Sequence, residues 1–436
     1  MTRRLLFCTQ TAHPHGGLET WLDEIVPFLE SRGWEVTVAL ARGRRFHDPA
    51  AYRAAHPRLQ RTVEIDGRWG TRESRVRALR RVLRDVRADV VVPINVADLL
   101  EAVAREKLAG SSVRLVTMLR AQEPHGELED LRTFREFIDL AVGGNRLLRA
   151  LLAEWSGIDG SRLRYIPPGS RRKTNAERSP KPADRIRLGY VGRLDHEAKR
   201  VLELVDVADR LDRDGVAYDL TIAGDGPARA ELERRLGSRA RFVGNVPVDE
   251  LYASIYPNLD VLLLFSEAEA GPQVVWQAMH YGVVPVVSRY RGATAEGVLR
   301  DGETALLFDI GDVHGAANAV ARLARDEALL RCIANAAERG VDPDYLLDSS
   351  FERWLAVFEE ARTIAPAIGA ALPASARAAS GIFERLHLPP RIAYGLRRLT
   401  RRASIAQEAG GEWPHHHGVD AATRVRIDVL ARELDR

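Results

Sequence analysis

Short, nearly continuous apolar runs alternate along the chain with longer stretches whose apolar positions recur at helical spacing. The runs predict buried strands and the stretches predict amphipathic helices, which is the alternation of parallel α/β units. In the first half the expected strands are Leu5–Cys8, Glu35–Leu40, Asp89–Ile94, Ser112–Met118, Ile138–Val142 and Arg164–Ile166. Helices are expected between them, among them Leu18–Ser31, Glu73–Arg87 and Asn145–Trp155, the last with Asn145 as its N-cap. The second half repeats the scheme with Ile186–Val191, Asp219–Ala223, Ala240–Val243, Val261–Phe265 and Val283–Val287.

Between the halves, Pro167-Pro168-Gly169 and the polar run from Arg171 to Pro182 lack apolar periodicity and read as a linker. The expected division is a first domain over 1–170, a linker over 171–183 and a second domain over 184–365. An Ala-, Pro- and Arg-rich helical tail of unassigned role follows over 366–436. With 436 residues the chain is too long for one ordinary core and suits two domains with an extension. Two doubly wound Rossmann-like domains facing each other would place a cleft at the carboxyl ends of their strands, where such folds bind ligands.

Composition narrows the picture. The formal net charge of +3 is small for this length, so bulk charge gives no reason to expect nucleic acid as a partner. Cys8 and Cys332 are the two cysteines, too few for a disulfide framework, and a reducing cytoplasm fits them. The start, Met1-Thr-Arg-Arg-Leu-Leu-Phe-Cys8, has the charge of a secretory leader, but polar Thr9-Gln10-Thr11 cuts its apolar run short. No stretch approaches the ~20 apolar residues that span a bilayer. Two arginine-rich helical stretches stand out: 68–87, with eight Arg against two acids, and 391–402, with five Arg and no acid. Each reads as a solvated face or as a surface for anionic lipid, the latter giving a peripheral position at the inner face of the membrane.

The chemistry concentrates in Phe265-Ser-Glu-Ala-Glu269-Ala-Gly271-Pro272-Gln273-Val-Val-Trp-Gln277-Ala-Met-His-Tyr-Gly282. An apolar strand leads through a Glu-containing loop into a helix, and such a junction suits an anionic phosphate ligand. This stretch resembles the donor-site motif of glycosyltransferase family 4, the group 1 glycosyltransferases of GT-B fold, in which two Glu residues are separated by seven. Here the first acid is Glu269 and the second position is Gln277. Gly16-Gly17, Gly192-Arg193 with Lys199, and Gly224-Asp225-Gly226-Pro227 match in the family's order, so the resemblance spans roughly residues 1 to 360.

The resemblance implies a retaining, metal-independent transfer of sugar from a nucleoside-diphosphate sugar to a glycan, lipid-linked or small-molecule acceptor, with no cofactor and no metal site. Arg193 and Lys199 would then stabilise the departing diphosphate as fixed cations. Glu269 would lie near the transferred sugar, with Glu267 as a competitor for that place. Gly16, Gly17, Gly192, Gly271, Pro272, Gln273 and Gln277 would line the donor. Gln277 keeps an acceptor oxygen but loses the charge-assisted bond of a carboxylate. Glu296 matches a later loop of the family. On the acceptor side, Arg120, His125 and His15 are the candidates, with His13 beside them; a surface loop is the alternative reading for 118–125. Arg193 and Lys199 also read as a solvated basic turn, and Gly224–Pro227 as a plain connection. The triple His415-His-His417 lacks ligand spacing and nearby acids, which argues against a metal there.

Other classes fit less well. A nicotinamide oxidoreductase would need Gly-x-Gly-x-x-Gly after a strand, with a ribose-binding acid beyond it, and neither is present. Non-hydrolysing sugar-nucleotide epimerases share the architecture. A degenerate transferase that binds nucleotide or serves as a scaffold without turnover is the strongest alternative, motivated by Gln277.

Overall fold

The computed structural model describes residues 2–14, 16–120, 127–171, 179–180, 182, 184–341, 343–374, 386, 388–399, 409–414 and 421–435. His15, His125 and the triple His415–His417 lie outside these. The chain forms two compact units, one of Met1–Gly143, Leu148–Ile166 and Phe351–Arg424, the other of Gly144–Leu147, Pro167–Ser350 and Val425–Arg436.

The first unit is built on β1 (Arg3–Thr9), β2 (Trp34–Arg42), β3 (Thr62–Asp66), β4 (Val90–Ile94), β5 (Arg114–Leu119), β6 (Leu140–Gly143) and β7 (Leu163–Tyr165), in the order β3-β2-β1-β4-β5-β6-β7. The second is built on β8 (Ile186–Val191), β9 (Tyr218–Ala223), β10 (Ala240–Gly244), β11 (Val261–Leu264), β12 (Val284–Ser288) and β13 (Leu306–Phe308), in the order β10-β9-β8-β11-β12-β13. Every strand pairing in both sheets is parallel. The central strands are mostly apolar and almost wholly buried, as a doubly wound sheet covered on both faces requires. The expected α/β class with two Rossmann-like domains is therefore present. β3 and β13 are additions to the expected strands, and both lie at sheet edges.

In each sheet the winding reverses beside the first strand: between β1 and β4 in one, and between β8 and β11 in the other. Loops diverge at these two places, at the strand carboxyl ends where such folds take their ligands. In the second unit one face of the sheet is packed by helices Glu203–Arg213 and Val313–Arg325. The opposite face holds a second cluster with Tyr252, Tyr256, Trp276, Tyr281 and Tyr345.

Described parts of the C-terminal stretch group with the first unit. Helix Leu347–Thr363 brings Trp354 and Phe358 against Phe7, Trp21 and Trp34 of the first unit, with ring centroids 5.4 to 6.2 Å apart. Further on, Ala367 joins a buried ion pair. Lys107 Nζ donates to Asp139 Oδ2 at 2.5 Å and to the carbonyls of Phe137 and Ala367 at 2.8 and 2.9 Å. Asp139 in turn accepts from the Leu115 and Ala367 N–H groups, each at 2.6 Å. Burial pushes the Lys107 ammonium below the ordinary lysine value, with Asp139 pulling the other way.

Candidate functional site

In the second unit, the reversal between β8 and β11 brings together some of the residues expected on the donor side. β8 is followed by Gly192, whose N–H donates to Ala223 O at 2.9 Å, and the chain turns through Arg193 into helix His196–Lys199. β11 ends at Leu264 and leads through Glu267 and Glu269 to helix Gln273–Met279, which begins directly after Pro272. The two loops meet where Lys199 Nζ donates to Glu269 Oε1 at 2.5 Å, the pair being 26% and 9% exposed. A cation from one side of the reversal and a carboxylate from the other are thus joined.

Two glycines make this loop packing possible. Gly224 sits at φ +139, and a Cβ there would overlap the Gly192 carbonyl. The Gly224–Gly226 turn packs on the Gly192–Leu194 loop, and Leu194 N donates to Asp225 O at 2.9 Å. Gly271 sits at φ +115, and a Cβ there would overlap the Pro168 ring. The Pro167-Pro168-Gly169 segment is fixed to the same place, because Gln273 Nε2 donates to Gly169 O at 3.1 Å. Asn145 Nδ2 donates to the Glu269 carbonyl at 3.2 Å.

The other expected residues are less centrally placed. Arg193 is 62% exposed and pairs with Asp195 at 2.8 Å. Glu267 pairs with Arg291 at 2.9 Å, well apart in partners from Glu269. Gln277 is buried, and its Oε1 accepts from the Tyr256 hydroxyl at 2.7 Å inside the aromatic cluster. Glu296 accepts from Arg146 N at 2.5 Å and from the Tyr345 hydroxyl at 2.6 Å, which makes it a loop anchor. Tyr256, Asn145 and Pro168 belong to this neighbourhood; the sequence marked Asn145 as an N-cap and Pro168 as part of a linker, and gave no sign of their contacts with Glu269 and Gly271 or of Tyr256 with Gln277.

In the first unit, Gly16 and Gly17 stand at the start of helix Gly17–Ser31 and are exposed. The preceding loop is tied down at Pro14, whose carbonyl lies 2.7 Å from His56 Nε2, while His56 Nδ1 lies 2.8 Å from Asp23 Oδ2. Burial alone would lower the His56 pKa; Asp23, the Pro14 carbonyl and Glu19 outweigh it and raise it above the ordinary histidine value. Arg120 contacts Met118 Sδ, and its guanidinium lies 5.3 Å from the Trp21 ring centroid. Burial pushes the guanidinium down to about 10, against the attraction of Glu127 and Glu19. Burial also raises the Glu19 carboxyl. The Glu19, Asp23 and His56 cluster was not expected from the sequence.

Among the described residues no three His, Cys, Asp or Glu side chains stand together in a way that could hold a metal ion, and no helix is long and apolar enough to cross a membrane. Of the eight arginines in 68–87, six are committed to ion pairs: Arg68, Arg72, Arg75, Arg77, Arg80 and Arg84.

Two parallel doubly wound sheets, with a lysine and a glutamate meeting at the second one's reversal, define a GT-B type protein. Residues 185–326 match the family described as glycosyl transferases group 1. A Campylobacter jejuni enzyme, the GalNAc-alpha-(1->4)-GalNAc-alpha-(1->3)-diNAcBac-PP-undecaprenol alpha-1,4-N-acetyl-D-galactosaminyltransferase, is 29% identical over 177 residues, 40% of this chain and 48% of that one. Among solved structures, sucrose-phosphate synthase from Thermosynechococcus elongatus superposes with a TM-score of 0.66 at 17% identity, covering 82% of this chain and 98% of the other. Anabaena HepE in complex with UDP and glucose does so with a TM-score of 0.65 at 17% identity, covering 82% and 100%. These structural likenesses establish the fold. The chain spans less than half the length of the first curated relatives it matches.

Proposed function

We propose that the protein is a retaining, metal-independent glycosyltransferase that moves a sugar from a nucleoside-diphosphate sugar to a glycan, lipid-linked or small-molecule acceptor. The observation that carries this reading is the Lys199–Glu269 pair at the reversal between β8 and β11. Cleaving the sugar–diphosphate bond leaves negative charge on the diphosphate, and a lysine fixed at the strand ends is a donor already in place for it. Arg193, exposed on the same β8 loop, supplies a second cation. These two groups take the part a divalent cation plays elsewhere, and Glu269, held by Lys199, is placed to receive hydroxyls of the transferred sugar. Retention rests on the family resemblance. UDP in the HepE complex and the undecaprenol-linked acceptor in the Campylobacter enzyme's name support this class of donor and acceptor.

Thermal-shift measurements with uridine, guanosine and adenosine diphosphates test the donor side, since a ligand that binds only the folded state raises its stability. No shift with any of the three at millimolar concentration refutes the reading. Where one binds, transfer or hydrolysis of the matching nucleotide sugar is followed with and without EDTA, and the anomeric configuration of the product is read by NMR. Loss of rate with EDTA, or an inverted product, refutes the corresponding part.

A second reading has its own observation. Gln277 stands where the family motif has an acid and is engaged with Tyr256, so the chain is also proposed as a nucleotide-binding scaffold without turnover. Saturable nucleotide-sugar binding with no release of sugar selects it. We further propose a cytoplasmic protein with peripheral contact to anionic lipid through helix Pro390–Leu399, where Ile392 and Leu399 are 52% and 82% exposed among Arg391, Arg397 and Arg398. Absence of flotation with anionic liposomes at low salt refutes that contact.

A further inference from the structure

The carboxyl ends of β1 to β4 carry a constellation that the donor-side chemistry does not use. The turn after β2 closes on itself, Gly43 N donating to His47 O at 3.0 Å. It presents three successive N–H groups to one carboxylate. Arg44 N and Arg45 N donate to Glu412 Oε1 at 2.8 and 2.6 Å, and Phe46 N donates to Oε2 at 2.9 Å. His47 Nδ1 lies 3.1 Å from the same Oε2. Consecutive inward-turned N–H groups form a concave anion site. Gly43 supplies the clearance, since a Cβ there would overlap the Glu412 carboxylate. Burial tends to raise the Glu412 pKa, but the donors at Phe46, His47, Arg45 and Arg44 outweigh it and hold the carboxyl below the ordinary range.

The neighbouring residue reaches the reversal itself. Trp413 is buried, its Nε1 donates to Arg42 O at 3.3 Å, and its ring lies where a Cβ on Gly67 would overlap it. Its carbonyl accepts from Gln10 Nε2 at 3.3 Å, and the same Nε2 donates to Asn95 O at 2.6 Å. Gln10 follows β1 and Asn95 follows β4, so residues 409–414 occupy the place where an open parallel sheet takes its ligand. Two features go beyond what a structural strap needs. His47 Nε2 is buried without a hydrogen-bond partner among the described residues. Asn95 holds φ +55, a backbone that non-glycine residues adopt rarely and that gathers at ligand sites.

We propose that the turn 43–47 is a binding site for a phosphate group and that Glu412 is its built-in occupant, so that segment 409–414 competes with the ligand. The argument stands on the first unit alone and survives failure of the donor-side reading. Inorganic phosphate is titrated calorimetrically into the full chain at constant ionic strength, comparing the wild type with Glu412→Gln. The neutral side chain should bind phosphate about tenfold or more tightly, and adding Gly43→Ala to it should abolish the gain by filling the cradle. A folded Glu412→Gln with affinity within about twofold of wild type, or a gain that persists with Gly43→Ala, overturns the proposal. Hydrogen exchange on the wild-type chain needs no variant. Saturating phosphate should speed exchange over 409–414, and unchanged exchange at 100 mM phosphate overturns the proposal equally. Glycerol phosphate distinguishes the source: tighter binding than inorganic phosphate assigns the site to a phosphate carried by a larger ligand, and equal binding assigns it to the free anion.

Discussion

Replacing Lys199 by Met separates the proposed catalytic use of the Lys199–Glu269 pair from its structural use. The ions stand 2.5 Å apart and are 26% and 9% exposed. At an effective dielectric of about 20, Coulomb attraction over that distance is about 7 kcal/mol, most of it offset by the cost of desolvating both ions. Loss of the ammonium leaves the Glu269 carboxylate without it in a largely dry site, which costs about 1–3 kcal/mol of stability. The effect on transfer should be larger in kind: removal of one preorganised donor to developing charge slows turnover about 100- to 1000-fold. The double variant Lys199→Met/Glu269→Gln should regain most of the lost stability, because no uncompensated charge remains. It should regain none of the turnover. The assays are thermal unfolding and steady-state transfer from the nucleotide sugar that binds. Turnover in Lys199→Met within about threefold of wild type, or a double variant as active as wild type, refutes the role given to this pair.

Four further outcomes are expected. Arg193→Ala, removing an exposed pair with Asp195, should change stability by no more than about 0.5 kcal/mol while turnover falls sharply, and parallel unfolding and transfer assays check it. Gln277→Glu restores the family's acid but buries a carboxylate beside the Tyr256 hydroxyl; it should lower the melting temperature and leave turnover no higher, as the same two assays would show. Asp139→Ala strands the Lys107 ammonium, whose exposure is 0%, and should cost about 3–5 kcal/mol in urea unfolding followed by the first unit's tryptophans. His56 has a folded pKa above its unfolded value. Its contribution to stability is therefore complete below about pH 6.5 and is lost as pH rises through the higher folded value, so His56→Gln should flatten the melting profile over that window.

Much of the fold was legible because a two-sided parallel sheet needs continuous apolar strands, and such runs are conspicuous. The two strands that escaped notice, Thr62–Asp66 and Leu306–Phe308, lie at sheet edges, where one is half polar and the other is three residues long. The meeting of the Lys199 and Glu269 loops was legible for a related reason. Lys199 and Glu269 are 70 residues apart, yet each follows a recognisable strand, and two strands flanking one reversal bring their following loops together. The direction of a side chain is a different matter. Gln277 faces Tyr256 because helix Gln273–Met279 turns Val275 through Met279 into the core, and nothing local to the motif states which neighbour fills that core. The arginine-rich helix shows the same limit. Its composition advertises free cations, but Glu101 and Glu106 on helix Asp98–Leu108 neutralise Arg72, Arg80 and Arg84.

The last stretch shows where such reading stops. Residues 366–436 are rich in Ala, Pro and Arg and lie outside the family resemblance, so the sequence leaves their role unassigned. Glu412 and Trp413 nevertheless rank among the buried residues, because what recognises them lies more than 300 residues earlier: a turn of bare N–H groups at 44–46 and a glycine at 67 that leaves room for an indole. A receptor made of backbone has almost no sequence signature, since any residue supplies an N–H. Its one trace is the occupant: Trp413 is the sole tryptophan after Trp354, set between glycines and a proline in otherwise small and charged surroundings. A large aromatic in a segment with no core of its own implies that some other part of the chain provides one. Here the provider is the strand-end crevice of the first unit, which ties the tail's burial to whatever that crevice binds.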